Sequence, residues 1–381
     1  MLESLAVYVH LPWCVRKCPY CDFNSHAAPH DLPEAAYVEA LRADLGADLD
    51  LAAGRPVTSV FFGGGTPSLF SPVAIGRILA GIAAALPLDP GAEVTLEANP
   101  GTLERGRFDD YAAAGINRVS LGAQSFSAAQ LGQLGRIHSP GDIESAVRDL
   151  ERAGIANFNL DLMYALPGQT VAESLADLQQ AIALGPAHLS HYQLTLEPGT
   201  AFFHRPPSLP DDDVALEMQL ACQAELAAAG FAQYEVSAYA RPGRQCRHNL
   251  AYWTFGDYLG IGAGAHGKLS TPAGIWRTEK PRTPREYLAS PAAGAAGTRR
   301  RVVEDELPFE WALNALRLIE GSSLAAFEAS TGLPARVLQP AVESLAARGL
   351  VESGADRLRA TPLGFRFLND VQATFLPERA A

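Results

Sequence analysis

The chain has 381 residues, nearly half of them hydrophobic, which is enough for one large domain and a small one with a sizeable core. Its formal net charge of −12 argues against a nucleic-acid partner held by a general basic field. No apolar run approaches the roughly 20 residues that span a bilayer and no secretory signal is legible, so the expectation is a cytoplasmic protein without direct membrane insertion.

The first apolar run, Ala6–Leu11, reads as a strand, and Cys14, Cys18 and Cys21 follow it directly in the spacing C-x3-C-x2-C. Three thiolates so close together can grip one soft cluster. A [4Fe–4S] cluster normally takes four cysteines, so three leave one iron open to a ligand. A zinc site would need a fourth donor, for which His10 and His26 are the neighbours. A disulfide is disfavoured by the odd cysteine count and the absence of a secretory signal.

Asp31 to Ala53 reads as an amphipathic helix, with a cap at Asp31, Glu34 three residues on, and Leu41, Leu45 and Leu49 spaced by fours. Further short runs are Val57–Phe62, Glu93–Ala98, Arg118–Ala123, Asn157–Tyr164 and His188–Leu196. Alanine-rich helical stretches separate them, and the most apolar, Ile78 to Leu88, reads as a core helix. Strands alternating with helices imply an α/β fold with a parallel sheet. Six such units make a partial (β/α)6 barrel or an open doubly wound sheet.

Polar residues gather where these runs end: the three cysteines, Gly63-Gly64-Gly65-Thr66, Glu97-Ala98-Asn99-Pro100, Gln124-Ser125-Phe126, Asp161 and Glu197-Pro198-Gly199-Thr200. Parallel sheets and barrels bind ligands at that edge. A triple glycine is usually only a tight turn; its functional reading is backbone N–H groups presented to a polar ligand. Glu97 and Asp161 sit within apolar runs, where an unpartnered carboxylate is costly, so each needs a partner such as a ligand amine or ribose hydroxyl. Arg136 is either a surface charge or a fork for a carboxylate.

Farther on, Cys222 falls at helical spacing and reads as core. Cys246 lies two residues before His248, but the local sequence lacks the C-x-x-C-H of covalent heme attachment. His248-Asn249 beside Tyr252 and Trp253 reads first as a hydrogen-bonded core corner, although a neutral imidazole is also a standard axial heme ligand. His266 lies in a glycine-rich turn and receives no role. An Ala/Gly/Ser/Pro stretch from Ala289 to Thr298 reads as a linker. Helices over Leu307–Leu318 and Pro334–Arg348 and a hairpin of Gly349–Glu352 with Arg357–Ala360 then suggest a mainly helical, winged-helix-like tail. In so acidic a chain, that tail covers the open barrel face or meets a protein partner rather than DNA.

The cysteine loop followed by Gly63-Gly64-Gly65-Thr66-Pro67 resembles the radical S-adenosylmethionine (SAM) superfamily, and Tyr8 to about Gly267 resembles its HemN/HemW branch. That branch holds oxygen-independent coproporphyrinogen III dehydrogenases and heme chaperones. The resemblance implies that Cys14, Cys18 and Cys21 hold a [4Fe–4S] cluster whose open iron chelates SAM. Tyr20 would cover the adenine. Gly64, Gly65, Thr66 and Glu97 would face the methionine end, with Arg136 near its carboxylate. Gln124 and Asp161 would take the ribose hydroxyls, and Tyr8 would lie beside the cluster. One electron into the cluster would cleave the sulfonium. The implied domains are 1–235 for the partial barrel, 236–290 for a family-specific extension, 291–298 for the linker and 299–381 for an auxiliary domain.

Two departures from the dehydrogenases stand out. Phe23 occupies the position of their further cysteine, and only a handful of residues precede Tyr8, where they carry a long N-terminal arm. Cys21-Asp22-Phe23-Asn24-Ser25-His26 and the H-N-x-x-Y-W motif at His248–Trp253 instead match the heme-chaperone side of the branch. The resemblance therefore implies a protein that cleaves SAM reductively and binds heme, with His248 as candidate ligand. It would pass heme to an acceptor, a respiratory protein being one candidate, and use an electron donor. Association with a membrane would come only through a partner. The alternatives are the dehydrogenase itself and a radical SAM enzyme of unrelated substrate.

Overall fold

The six predicted runs become six neighbouring parallel strands. The computed structural model describes residues 4–101, 108–289, 297–354 and 356–377. In it β1 (Leu5–Leu11), β2 (Val57–Gly64), β3 (Leu88–Ala98), β4 (Arg118–Gln124), β5 (Phe158–Tyr164) and β6 (His188–Gln193) lie side by side in chain order. Alternation along each strand sorts two environments. Val7, Val9, Leu96, Val119, Leu121, Phe158 and Leu160 enter the apolar core. The alternate set, including Tyr8, Glu97, Ser120, Asp161 and Ser190, lines cavities inside the curved sheet.

β1 is flanked on its other side by a seventh parallel strand, β9 (Tyr258–Ile261). The chain then adds antiparallel β10 (His266–Thr271), β11 (Gly274–Glu279) and β12 (Thr298–Arg301). At the opposite edge β8 (Ala238–Ala240) pairs antiparallel with β6 and with β7 (Ala232–Glu235). The result is a mixed twelve-stranded sheet in the order β12-β11-β10-β9-β1-β2-β3-β4-β5-β6-β8-β7, with β12 and β7 as its edges and no closed barrel among the described residues. The segment 236–290 thus contributes strands to the same sheet as the barrel. The predicted linker lies outside the described residues as far as 296, and Thr298 already begins β12.

The first long helix corrects the cap expectation. It spans Glu34–Ala52 behind Pro33, and no side chain caps its first turn. Asp31 is exposed and pairs instead with His30. Glu34 accepts from the backbone and hydroxyl of Ser71, both at 2.7 Å, and so braces the start of the next helix, Pro72–Ala85. Ile78 and Ile82 of that helix are buried, as their apolar run requires.

The tail has its own core of Trp311, Leu316, Phe327, Leu345 and Val371, continued by Phe255 and Ile275 of the sheet region. Its first helix ends at Ala315 rather than Leu318, and the second predicted helix divides into a 3-10 turn, Ala335–Leu338, and the helix Gln339–Ala347. The hairpin Val351–Ser353/Arg357–Ala360 forms and gains a third short strand, Ser322–Ser323. Helices Leu324–Thr331, Pro362–Arg366 and Leu368–Ala373 were not predicted, being too short for a periodic pattern to stand out. Among the described residues no helix is long and apolar enough to cross a membrane.

Candidate functional site

A cavity of about 440 Å³ opens at the carboxyl ends of the parallel strands. Cys14, Cys18 and Cys21 line one side, and Gly64, Gly65, Thr66, Glu97, Gln124, Arg136, Asp161 and Tyr20 complete the wall. The cysteine loop is closed at its base by parallel pairing of Trp13–Cys14 with His26–Ala27. Inside it, the Cys21 N–H turns back to the Cys18 carbonyl at 3.2 Å, and Lys17 Nζ donates to the Phe23 carbonyl at 3.1 Å.

The glycine turn has the hydrogen bonding of the tight-turn alternative. Its N–H groups are committed inside the protein: Gly64 donates to Glu97 Oε2 at 3.1 Å, Gly65 to the Leu11 carbonyl at 2.9 Å and Thr66 to the Trp13 carbonyl at 2.8 Å. Glycine is required because the turn passes directly under the cysteine loop. A Cβ on Gly64, whose φ is +119°, would lie 2.6 Å from the His10 ring, and one on Gly65 would lie 2.5 Å from the Trp13 carbonyl oxygen.

Opposite the thiols, Asp161 accepts from Ser120 Oγ at 3.1 Å and from Asn159 Nδ2 at 2.8 Å. Burial pushes the Glu97 carboxyl up to about 8, with the Asp161 charge adding to the shift and the Gly64 N–H opposing it. Asp161 is likewise raised by burial against its three hydrogen bonds. Gln124 follows a register shift in β4 and takes a φ of +67°; its Oε1 accepts from Tyr192 Oη at 2.7 Å. Arg136 donates to the Gly122 carbonyl at 2.6 Å, to Asn99 Oδ1 and, at 3.7 Å, to Cys18 Sγ. Burial works against its charge, yet Tyr20 and Cys18 beside it hold the guanidinium above its ordinary range.

Tyr8 and His248 stand elsewhere. Both line a second chamber of about 210 Å³, which shares Glu97, Ser120 and Asp161 with the first cavity. Tyr8 Oη lies 3.0 Å from His10 Nδ1. His248 is 1 % exposed, its Nδ1 is 3.1 Å from Ser59 Oγ and its Nε2 is 2.9 Å from Tyr252 Oη. Burial, reinforced by the Arg118 charge, pushes the imidazole down to about 3, so it is neutral. Both ring nitrogens are engaged, so the structure does not present His248 to a heme. Trp253 packs instead toward the tail, with Arg317 4.3 Å over its ring.

Comparison with known proteins places this architecture. The radical SAM superfamily model matches residues 8–181, and the HemN C-terminal domain model matches residues 303–367. The chain is 49% identical to heme chaperone HemW of Escherichia coli strain K12 over 378 residues, 99% of both chains. The chain belongs to the HemW family. Heme chaperone HemW of Haemophilus influenzae is 46% identical, again over 99% of both chains. Among solved structures, coproporphyrinogen III oxidase (HemN) of Escherichia coli shares the fold with a TM-score of 0.82 at 22% identity, covering 98% of this chain and 90% of that one.

In this HemW-family chain the donor set fits the cluster that the superfamily implies. The cysteines are free thiols on one cavity wall, the ligand type that iron–sulfur clusters take. Burial raises the Cys14 and Cys21 thiols, a penalty that metal binding offsets by displacing the proton. Among the described residues no three His, Cys, Asp or Glu side chains converge on a single-ion site.

One residue of this wall had no assigned role in the sequence reading. Asn99 donates through Nδ2 to Thr66 Oγ1 at 2.8 Å and accepts from Arg136, so it ties the glycine turn to the arginine that touches Cys18. Its place directly after Glu97-Ala98 was the available signal. Cys246 is buried with its Sγ 3.5 Å from Glu93 Oε1, and Cys222 is buried beside Ser174. His266 is exposed at the start of β10.

Proposed function

We propose that this chain is a heme chaperone that binds heme together with a SAM-loaded [4Fe–4S] cluster and delivers the heme to an acceptor protein. The observation that carries the reading is 49% and 46% identity over full length to proteins named heme chaperone HemW, joined to a ligand-sized cavity lined by three thiols together with Glu97, Asp161 and Arg136. In this reading Cys14, Cys18 and Cys21 hold the cluster, which supplies the single electron that breaks a sulfonium. Glu97 receives the SAM amine, Arg136 meets its carboxylate, Gln124 and Asp161 receive the ribose hydroxyls and Tyr20 covers the adenine. These groups orient the ligand and exclude water around it.

Heme binding through His248 requires the ring to leave Ser59 or Tyr252, so on this reading the chamber opens before heme is bound. The acceptor, with a respiratory protein as one candidate, and the electron donor are partners of the same cycle in a cytoplasmic setting. Phe23, exposed at the cavity rim where the dehydrogenases carry a further cysteine, supports a carrier over a dehydrogenase.

The test uses anaerobically reconstituted protein carrying its cluster, titrated with heme at the Soret band. The same sample is assayed with coproporphyrinogen III, SAM and a reductant. Stoichiometric heme uptake without protoporphyrinogen formation is expected; turnover of coproporphyrinogen would overturn the reading.

A further inference from the structure

Arg118 opens β4 and is 2 % exposed, one of the largest fully buried side chains of the protein. Among the described residues its side chain makes no hydrogen bond and no ion pair, and its Nε is buried without a partner. Buried guanidinium groups ordinarily sit in bidentate pairs, because an isolated buried charge is expensive. This one lines the second chamber, directly behind the wall formed by Glu97, Ser120 and Asp161. That wall has two faces: one toward the 440 Å³ cavity with the thiols and one toward the chamber with Arg118.

We propose that Arg118 is a positioning residue for the first cavity, acting through the shared wall to favour the charged forms of Glu97 and Asp161 toward SAM. The inference rests on the SAM reading given above. A charge in a water-poor interior acts strongly over a few ångströms without contact. The guanidinium opposes the burial that raises the Glu97 and Asp161 carboxyls. It also lowers His188 and His248 beneath burial's own effect, so these rings stay neutral and do not add competing positive charge. The other titratable groups facing it are Glu93, Cys246 and Tyr234, and Tyr8 and Tyr252 share the chamber. Glu93 is held separately by the backbone N–H groups of Arg247, at 2.9 Å, and His248. The freedom from direct bonds suits this role, since no hydrogen bond to Arg118 competes with the ligand for the two carboxylates.

The experiment compares wild type with Arg118→Met and Arg118→Lys. Because no partner is left unpaired, Arg118→Met is expected to fold, as apolar replacement of a buried charge often does. The first readout is infrared titration of the Glu97 carboxyl in ligand-free protein, assigned by its loss in Glu97→Gln. The second is SAM binding by calorimetry across pH, where the ligand's own amine titrates alike in all variants and cancels. Arg118→Met is expected to move the Glu97 titration to higher pH and to weaken SAM about tenfold at pH 7, the equivalent of one pH unit. Arg118→Lys is expected to restore both. An unmoved Glu97 titration in Arg118→Met overturns the inference even if SAM binding falls. If Arg118→Met does not fold, an unmoved Glu97 titration in Arg118→Gln overturns it. A moved titration alongside absent SAM binding in wild type instead overturns the SAM reading on which it stands.

Discussion

The side-chain amide of Asn24 donates to the main-chain carbonyl of Ala263 at 2.9 Å, joining positions 239 residues apart. The same nitrogen donates to the Arg282 carbonyl at 2.8 Å, and the Asn24 carbonyl lies 2.9 Å from His10 Nε2. The cysteine loop is therefore clamped both to β1 and to the turn that follows β9. Gly264 is part of the same device: its φ is +79°, and a Cβ there would stand 2.2 Å from the Asn24 amide.

Asn24→Ala removes both donors while leaving the thiols in place. The expected cost is about 1–3 kcal/mol in thermal or denaturant unfolding, with reduced iron content after reconstitution because the loop loses its far anchor. Full cluster occupancy at an unchanged unfolding midpoint would show that the clamp does not hold the loop.

The six parallel strands were legible because each carries a short cluster of apolar or β-branched residues between helical stretches, and Glu97 and Asp161 stood out as acids within such clusters. The seventh strand, Tyr258–Ile261, was hidden by its four-residue length, its internal glycine and a partner, β1, near the other end of the chain. The glycine turn was legible as a turn, but its purpose depended on carbonyls of Leu11 and Trp13 more than fifty residues earlier. Arg118 looked like the polar start of a strand; only the curvature of the sheet turns it into a buried cation behind two acids. The four-residue step from His248 to Tyr252 was readable as a helical contact, whereas Ser59, 189 residues distant, was not.

Glu97 gives a pH dependence with a definite sign. Its folded carboxyl titrates near 8, above its ordinary 4.5, so between those values the folded state binds more protons than the unfolded. This group's contribution is therefore fully present below pH 4.5 and is lost as pH rises through 8. Glu97→Gln, which cannot ionise, is expected to raise the melting temperature of ligand-free protein more at pH 8 than at pH 5. An equal shift at both values would mean that Glu97 is not held protonated by the fold.

Asn99 predicts a separation between cluster and ligand. Asn99→Ala frees Thr66 Oγ1 and one branch of Arg136, but leaves the Arg136 bond to the Gly122 carbonyl at 2.6 Å and all three thiols. The expected outcome is normal iron content with SAM bound several-fold more weakly, read by calorimetry on reconstituted protein. Parallel loss of iron and SAM would instead make Asn99 a support of the cysteine loop.

His248 and Tyr252 together decide how heme is held. The neutral imidazole has a lone pair suited to iron, but Tyr252 Oη at 2.9 Å occupies Nε2 and Ser59 Oγ at 3.1 Å occupies Nδ1. Tyr252→Phe removes one of these partners without altering the ring's apolar packing. The expected cost is about 1 kcal/mol of stability. If His248 is the ligand, the variant must also bind heme more tightly than wild type, because the nitrogen no longer has to leave a hydrogen bond. His248→Ala must then abolish the same Soret change while retaining the cluster. If heme is held elsewhere, both substitutions lower the unfolding midpoint and leave the Soret titration where it was. That result removes His248 from heme binding and makes the H-N-x-x-Y-W segment a structural joint between the barrel interior and the tail, the role that its bonds to Ser59 and the stacking of Arg317 on Trp253 already give it.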